Sequence, residues 1–316
     1  PLDRAAEAGV VVFNTPGANA NGVKELAITA LLLASRKVSQ GITWVKEQSA
    51  AGADVAAVVE KGKSAFVGPE IMGKTLGVIG LGAIGVLVAN AAAALGMRVV
   101  GYDPFLSVKN ALSLNPAVEV VPTMDEAFAA ADYVSLHLPM LPTTKHTIND
   151  AAFSVMKDGV RIINLARGEL VDDTAMKAAL ESGKCAAYVT DFPNSEVAAM
   201  EGVVAIPHLG ASTPESEDNC AMMAARQVKD YLDNGNIVNS VNLPALTMAW
   251  GGQNRVCVIS KGADAAAVLA AVPGVKASAS NTRSDYAYAI IDTDAAVDAA
   301  AVSAVPGVIR VRVLSK

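Results

Sequence analysis

Only three histidines occur in the 316 residues, so each can be weighed as a proton acceptor near neutral pH. His137 stands in Leu136-His137-Leu138-Pro139, and His208 in Ile206-Pro207-His208-Leu209-Gly210, each at the end of an apolar run. His146 stands in the polar Thr143-Thr144-Lys145-His146 and reads as a solvated residue. Two further segments carry ionisable groups past an apolar run. Asn164-Leu165-Ala166-Arg167-Gly168 brings a guanidinium, whose planar fork suits a carboxylate. Thr190-Asp191-Phe192-Pro193, followed by Glu196, brings two carboxylic acids. An acid beside an imidazole favours its protonated form. An Arg, an acid and a His at three strand ends are the parts needed to bind a small carboxylate and move a proton.

A second pattern handles phosphate. Gly80-Leu81-Gly82-Ala83-Ile84-Gly85 is G-x-G-x-x-G, placed between an apolar run, Thr75–Ile79, and an Ala-rich helical pattern, Ile84–Leu95. Gly80 permits the tight turn, Gly82 lets the backbone approach a pyrophosphate, and Gly85 lets helix and strand pack closely. Asp103 lies 18 residues beyond Gly85. It would accept from ribose hydroxyls and repel a 2′-phosphate, which favours NAD over NADP.

These groups need a scaffold that presents strand ends along one edge. Apolar runs at 75–79, 98–102, 133–138, 160–164, 187–190 and 203–207 alternate with helical patterns at 84–95, 123–130, 150–156 and 173–181. Unbroken apolar strands between helices indicate an α/β fold, a doubly wound parallel sheet covered on both faces. Ligands of such sheets lie outside the carboxyl ends of the strands. Earlier, Val10–Phe13 reads as a short strand, Val23–Val38 as a helix, and Ser49–Ser64 as irregular surface. Pro214–Asn234 reads as one long helix, and residues 235–252 as a linker. The tail repeats itself: Ala271-Val272-Pro273-Gly274-Val275 recurs as Ala304-Val305-Pro306-Gly307-Val308. Each copy ends a helix and opens a strand, giving a ferredoxin-like βαββαβ order.

Composition removes other classes. The 25 basic and 31 acidic residues give a net charge of −6, without the cationic surplus that nucleic-acid binding draws on. At 52% hydrophobic and 18% charged, the chain is too apolar for disorder. Cys185, Cys220 and Cys257 are scattered and odd in number; no metal and no disulfide framework is expected, which suits a reducing cytoplasm. No secretory leader pattern opens the sequence. The uncharged stretch Thr75–Met97 is broken by glycines and reads as strand, turn and helix rather than a membrane span. The sequence begins at Pro1, without Met and in mid-pattern, and reads as lacking an N-terminal part.

Together, Gly80–Gly85 with Asp103, Leu136–Pro139, Asn164–Asp172, Asp191–Glu196 and Pro207–Thr213 make residues 5–245 resemble the D-isomer-specific 2-hydroxyacid dehydrogenases. The resemblance implies NAD as cofactor and a catalytic set of Arg167, Glu196 and His208. It implies cofactor contacts from Gly80, Gly82, Ala83, Ile84, Gly85, Asp103, Leu136, His137, Pro139, Thr144, Leu165, Ala166, Arg167, Asp191, His208 and Gly210, with Asp191 holding the nicotinamide carboxamide. Asn19 or Asn21 would lie near the substrate, with Arg167 and His208; turn formation is the alternative for either Asn. The implied domains are a remnant of a flavodoxin-like substrate domain (1–18, returning at 212–246), an NAD-binding Rossmann domain (19–211) and an ACT-like regulatory domain (254–316).

Within the family, the start and the tail most resemble the branch that oxidises D-3-phosphoglycerate. Hydroxypyruvate or glyoxylate reduction, and an NAD-sensing corepressor-like role, are the alternatives. The implied partners are a small anionic 2-hydroxy acid, an amino-acid effector at the tail and further copies of the chain, with neither nucleic acid nor membrane. Two departures stand out. Much of the substrate lobe has no counterpart here, and the tail loop Ser260-Lys261-Gly262-Ala263-Asp264 lacks the Asn/Arg-Pro-Gly pattern of serine-binding ACT domains. The tail could instead serve only as a dimerisation surface.

Overall fold

The computed structural model describes residues 2–316. Two compact bodies emerge: Asn19–Glu217, and the segment up to Ala18 together with Asp218–Lys316.

The first body is built on a seven-stranded parallel sheet. Its strands are β1 (Thr75–Ile79), β2 (Arg98–Tyr102), β3 (Glu119–Val120), β4 (Tyr133–Leu136), β5 (Val160–Asn164), β6 (Cys185–Thr190) and β7 (Val203–Ala205). The order is β3-β2-β1-β4-β5-β6-β7, so the chain reverses direction across the sheet between β1 and β4. Every residue of β1 and β4 is buried, as expected of strands covered on both faces. The helices Met124–Ala130, Asp150–Val155 and Asp173–Glu181 bury Ala127, Phe128, Phe153 and Met176 on one face. On the other face, Ala20–Ser35 and Ala83–Ala94 bury Ala27, Leu31, Val88 and Ala92. Local chemistry starts these helices: Thr123 accepts from the Glu126 amide, Asn149 from Ala152, and Asp172 from Thr174 and Ala175.

Three expectations need correction here. Ser49–Ser64 is largely helical, within an arm of Val38–Ala50, Val55–Gly62 and a 3₁₀ turn, Lys63–Phe66. Gly52 at φ 73° ends the first helix and the Asp54 carboxylate caps the second. None of these three helices buries a residue fully; Trp44, Val45, Val55, Val58 and Val59 form only a half-buried apolar stripe. The preceding helix stops at Ser35 rather than Val38, because Arg36 turns extended. Val10–Phe13 makes only a single bridge, Phe13 to Ser240, rather than a strand.

The second body holds an antiparallel sheet of β8 (Asn254–Lys261), β9 (Val275–Arg283), β10 (Tyr286–Thr293) and β11 (Val308–Ser315), ordered β11-β8-β10-β9. The helices Ala265–Ala270 and Ala299–Ser303 complete a βαββαβ order. They cover one face through Val256, Val258, Val268, Ile291 and Val302. The other face, bearing Cys257, Ile259, Tyr288 and Ile290, is covered by Ala6, Ile237 and Leu243. Residues 235–252 are therefore no loose linker: Ile237 and Leu243 are fully buried.

Arg255 fixes this arrangement. Its guanidinium is fully buried and donates to both Asp292 oxygens, at 2.7 and 2.8 Å. It donates further to the carbonyls of Asn234, Met248 and Ala249, each at 2.8 Å, and lies 4.5 Å from the Trp250 ring centroid. Burial alone would raise the Asp292 pKa, but Arg255 and the Gly251 amide hold it below the usual carboxylate range.

Candidate active site

The site residues of the first body sit on turns at the carboxyl edge of the sheet. Past β1, the Gly80 amide donates to the Tyr102 carbonyl at 2.8 Å and Ile79 accepts from the His137 amide at 2.8 Å. Gly80 has φ 95°, and a Cβ there would stand 2.5 Å from the His137 oxygen. A Cβ on Gly85 would stand 1.9 Å from the Gly80 oxygen, so no larger residue fits either turn position. Gly82, by contrast, faces open space. It is also the N-cap of Ala83–Ala94 and supplies no side-chain acceptor to the first amides. A 12-residue helix thus opens with free N–H groups beside a gap, an arrangement that suits a pyrophosphate.

Asp103 ends β2 and accepts the Leu81 amide at 2.9 Å on one oxygen and the Phe105 amide at 2.8 Å on the other. Each oxygen keeps a lone pair for an outside donor. Asn110 donates to the Leu81 carbonyl at 3.0 Å and so supports the same turn. Sequence reasoning missed this residue, because only the fold carries it back to Leu81.

Past β5, the fully buried Asn164 shapes the loop. It donates to the Arg167 carbonyl at 2.8 Å and accepts the Ala166 amide at 3.2 Å. Arg167 is exposed, with its guanidinium carbon 5.5 Å from the Phe192 ring centroid. Past β7, His208 is exposed too, its ring centroid 4.3 Å from that of Phe192 at 46°. The structure therefore brings Arg167 and His208 together through an aromatic residue to which sequence reasoning gave no role.

Beside them lies Asp191, 1% exposed. Its Oδ2 receives a long contact from the Gly210 amide, 3.4 Å. Its Oδ1 is buried without any hydrogen-bond partner. Burial pushes the Asp191 pKa up; the Gly210 amide and the His208 and Arg167 charges only partly offset it. A buried oxygen left unmatched costs free energy. A donor such as a carboxamide would satisfy it.

Other expected site residues fall differently. His137 is held by Ser135 at 2.9 Å, and burial pushes its pKa down to about 4. It stays neutral and is a poor proton acceptor. The Thr144 hydroxyl closes its own loop, donating to the Pro139 carbonyl at 2.6 Å and accepting the Leu141 amide at 2.9 Å. His146 is not simply solvated. It has φ 53° and lies 3.3 Å from the Asp172 carboxylate, next to a parallel bridge between Ile148 and Val171. Asn19 stands before Ala20–Ser35 without capping it, and Asn21 donates to Glu25 at 2.9 Å.

No hydrogen bond or ion pair joins Glu196 to His208 among the described residues. It lies exposed in the first turn of Ser195–Ala199 and lines a cavity of about 1060 Å³ with Arg161, Lys177, Glu181 and Cys185. That cavity is walled by the starts of β5, β6 and β7, whereas His208 follows the end of β7.

Residues 28–210 match the family described as D-isomer specific 2-hydroxyacid dehydrogenase, NAD binding domain. The chain belongs to this family. NAD is the family's cofactor, and the open Gly82 turn, the half-free Asp103 and the unpaired Asp191 oxygen fit it. Among curated proteins, D-3-phosphoglycerate dehydrogenase of Rattus norvegicus is 36% identical over 260 residues, 80% of this chain and 46% of that protein. The chain thus spans about half the length of the curated relatives it matches. Among solved structures, D-mandelate dehydrogenase of Rhodotorula graminis superposes with a TM-score of 0.67 at 26% identity, covering 78% of this chain and 72% of that one. A glyoxylate reductase from Paecilomyes thermophila gives 0.64 at 31%, covering 76% and 70%.

Proposed function

We propose that this chain serves NAD-dependent oxidation of D-3-phosphoglycerate to 3-phosphohydroxypyruvate, the first step of serine biosynthesis. The observation that carries the site is Asp191, a buried carboxylate with one unmatched oxygen, bordered by His208 and Arg167. The substrate assignment rests on the curated relatives named for this activity.

NAD, when bound, would supply the acceptor for the hydride that leaves C2 of the substrate. Arg167 binds the substrate carboxylate and holds C2 in place. His208 takes the C2-hydroxyl proton, so the alcohol loses one proton and one hydride and becomes a ketone. The amides opening Ala83–Ala94 hold the pyrophosphate, Asp103 the ribose hydroxyls, and Asp191 the carboxamide. By their motifs, Pro139, Leu165, Ala166 and Gly210 would lie between these points and Asn19 near the substrate, whereas Leu136 is buried in the sheet core and offers no surface to a cofactor. Glu196 is assigned to His208 by its place in the motif alone. Its position on another cavity leaves it outside the proton step as drawn here. NADH formation with 3-phosphoglycerate, against glycerate and lactate, tests the reading. A preference for glycerate would favour the second one, a hydroxypyruvate or glyoxylate reductase, which the glyoxylate reductase among the structural relatives supports.

The tail's βαββαβ order and its β11-β8-β10-β9 sheet support an ACT-like, ferredoxin-like module, with an amino acid as effector. Titrating serine into the assay tests this. The arm Val38–Phe66 supports assembly into oligomers. It buries no residue fully, yet carries Trp44 packed at a tilt against Phe66, centroids 5.3 Å apart, and leaves Val38 and Ile42 half exposed. Sedimentation of the purified chain measures that.

A further inference from the structure

Phe192 belongs to neither the cofactor pattern nor the proton step, yet the two exposed groups of the site both lean on it. The Arg167 guanidinium carbon lies 5.5 Å from its ring centroid. The His208 ring centroid lies 4.3 Å away at 46°, a tilted aromatic contact. Its own backbone is pinned, since the Phe192 amide donates to the buried Thr190 hydroxyl at 3.1 Å. On the side of the Arg167 loop, a Cβ built on Gly168 would meet the Phe192 carbonyl oxygen at 3.4 Å and its Cβ at 3.6 Å. The loop after β5 therefore rests directly against this residue.

We infer that Phe192 is a positioning residue, an aromatic spacer that sets the distance between the Arg167 guanidinium and the His208 imidazole. The inference deepens the proposed dehydrogenase site and rests on it. Arg167 and His208 come from loops after different strands, and no hydrogen bond is recorded between their side chains. Each is long or exposed and would sample many rotamers alone. One ring contacts both. A cation prefers the face of an aromatic ring, and an imidazole packs against it in either protonation state. A 2-hydroxy acid bridging the two groups needs its carboxylate and its hydroxyl served at a fixed separation, and placement of this kind acts directly on rate.

The test compares Phe192→Leu, which keeps apolar volume, with Phe192→Tyr, which keeps the ring. In the wild-type protein, NMR of the His208 ring protons should show the upfield displacement of a proton beside an aromatic face. Phe192→Leu should abolish it and Phe192→Tyr should retain it. In turnover, Phe192→Leu should lose roughly tenfold in kcat/KM for the 2-hydroxy acid, the size that one aromatic stack and one cation contact carry together. NADH affinity and thermal stability should stay unchanged, and Phe192→Tyr should restore the rate. Undisplaced His208 protons in the wild type, or a Phe192→Leu variant with full kcat/KM, would overturn the inference while leaving the dehydrogenase reading intact. A wild-type protein that makes no NADH from any D-2-hydroxy acid, with the displacement present, would sink the dehydrogenase reading and this role with it.

Discussion

Asp292 and Asp191 are 0% and 1% exposed, and only one of them is satisfied. Asp292, in the tail sheet, receives two bonds from Arg255 and one from the Gly251 amide. Those partners outweigh the burial that opposes its charge and lower its pKa. Asp191, past β6, has one long contact and one oxygen with nothing, and burial raises its pKa. Both charges are expensive to hide. The tail covers that cost with its own residues, and so its carboxylate serves the fold. The parallel sheet leaves it uncovered, which fits the ligand-holding role proposed for it.

The comparison can be broken at several strengths. The largest effect should come from His208→Ala, with turnover falling by ~10²–10⁴ in a 2-hydroxy-acid assay, the range for a lost general base. Removing one partner of the tail pair comes next. Asp292→Asn should destabilise by about 3–5 kcal/mol, because it strands the buried Arg255 charge; chemical denaturation would show it. Asp103→Ala should weaken NADH binding by roughly tenfold, the worth of one charge-assisted hydrogen bond, and should cost about 1–3 kcal/mol of stability as well, because the Leu81 and Phe105 amides lose their acceptor.

A further effect is in pH. His137 titrates near 4 in the fold, against 6.5 for the free side chain. The unfolded chain therefore binds more protons between those values, and stability falls as pH drops through them. Asp292, lowered in the fold, loses its contribution at more acid pH, as it too becomes protonated. Urea unfolding at pH 7, 6 and 5 should show the His137 slope, and His137→Gln should flatten it.

What could be read from the sequence follows from where the information sits. The Gly80–Gly85 turn and Asp103 depend on contacts within one strand-turn-helix unit, so residue types alone expose them. The tail order was legible because Ala-Val-Pro-Gly-Val recurs, marking two helix ends. The arm at 38–66 was harder to read, because its helices are short, are broken at Gly52, and only half bury their apolar positions Trp44, Val45, Val58 and Val59. Arg255 was hidden in plain view. Read among apolar strand residues it looks like an interruption, and only the fold brings Asp292 and three carbonyls around it. Matching Glu196 by motif failed to predict its surroundings, since a short helix, Ser195–Ala199, turns it toward another cavity.

The central claim is that the unmatched Asp191 oxygen is kept for the cofactor. Its most direct test is Asp191→Leu, followed by denaturation and by NADH titration calorimetry on the same preparation. The account predicts folding stability equal to or above wild type, because an unpaired buried charge is gone, together with NADH affinity reduced roughly tenfold or more. A variant that folds less stably yet binds NADH as tightly as wild type would make Asp191 a structural residue like Asp292, and would contradict the account.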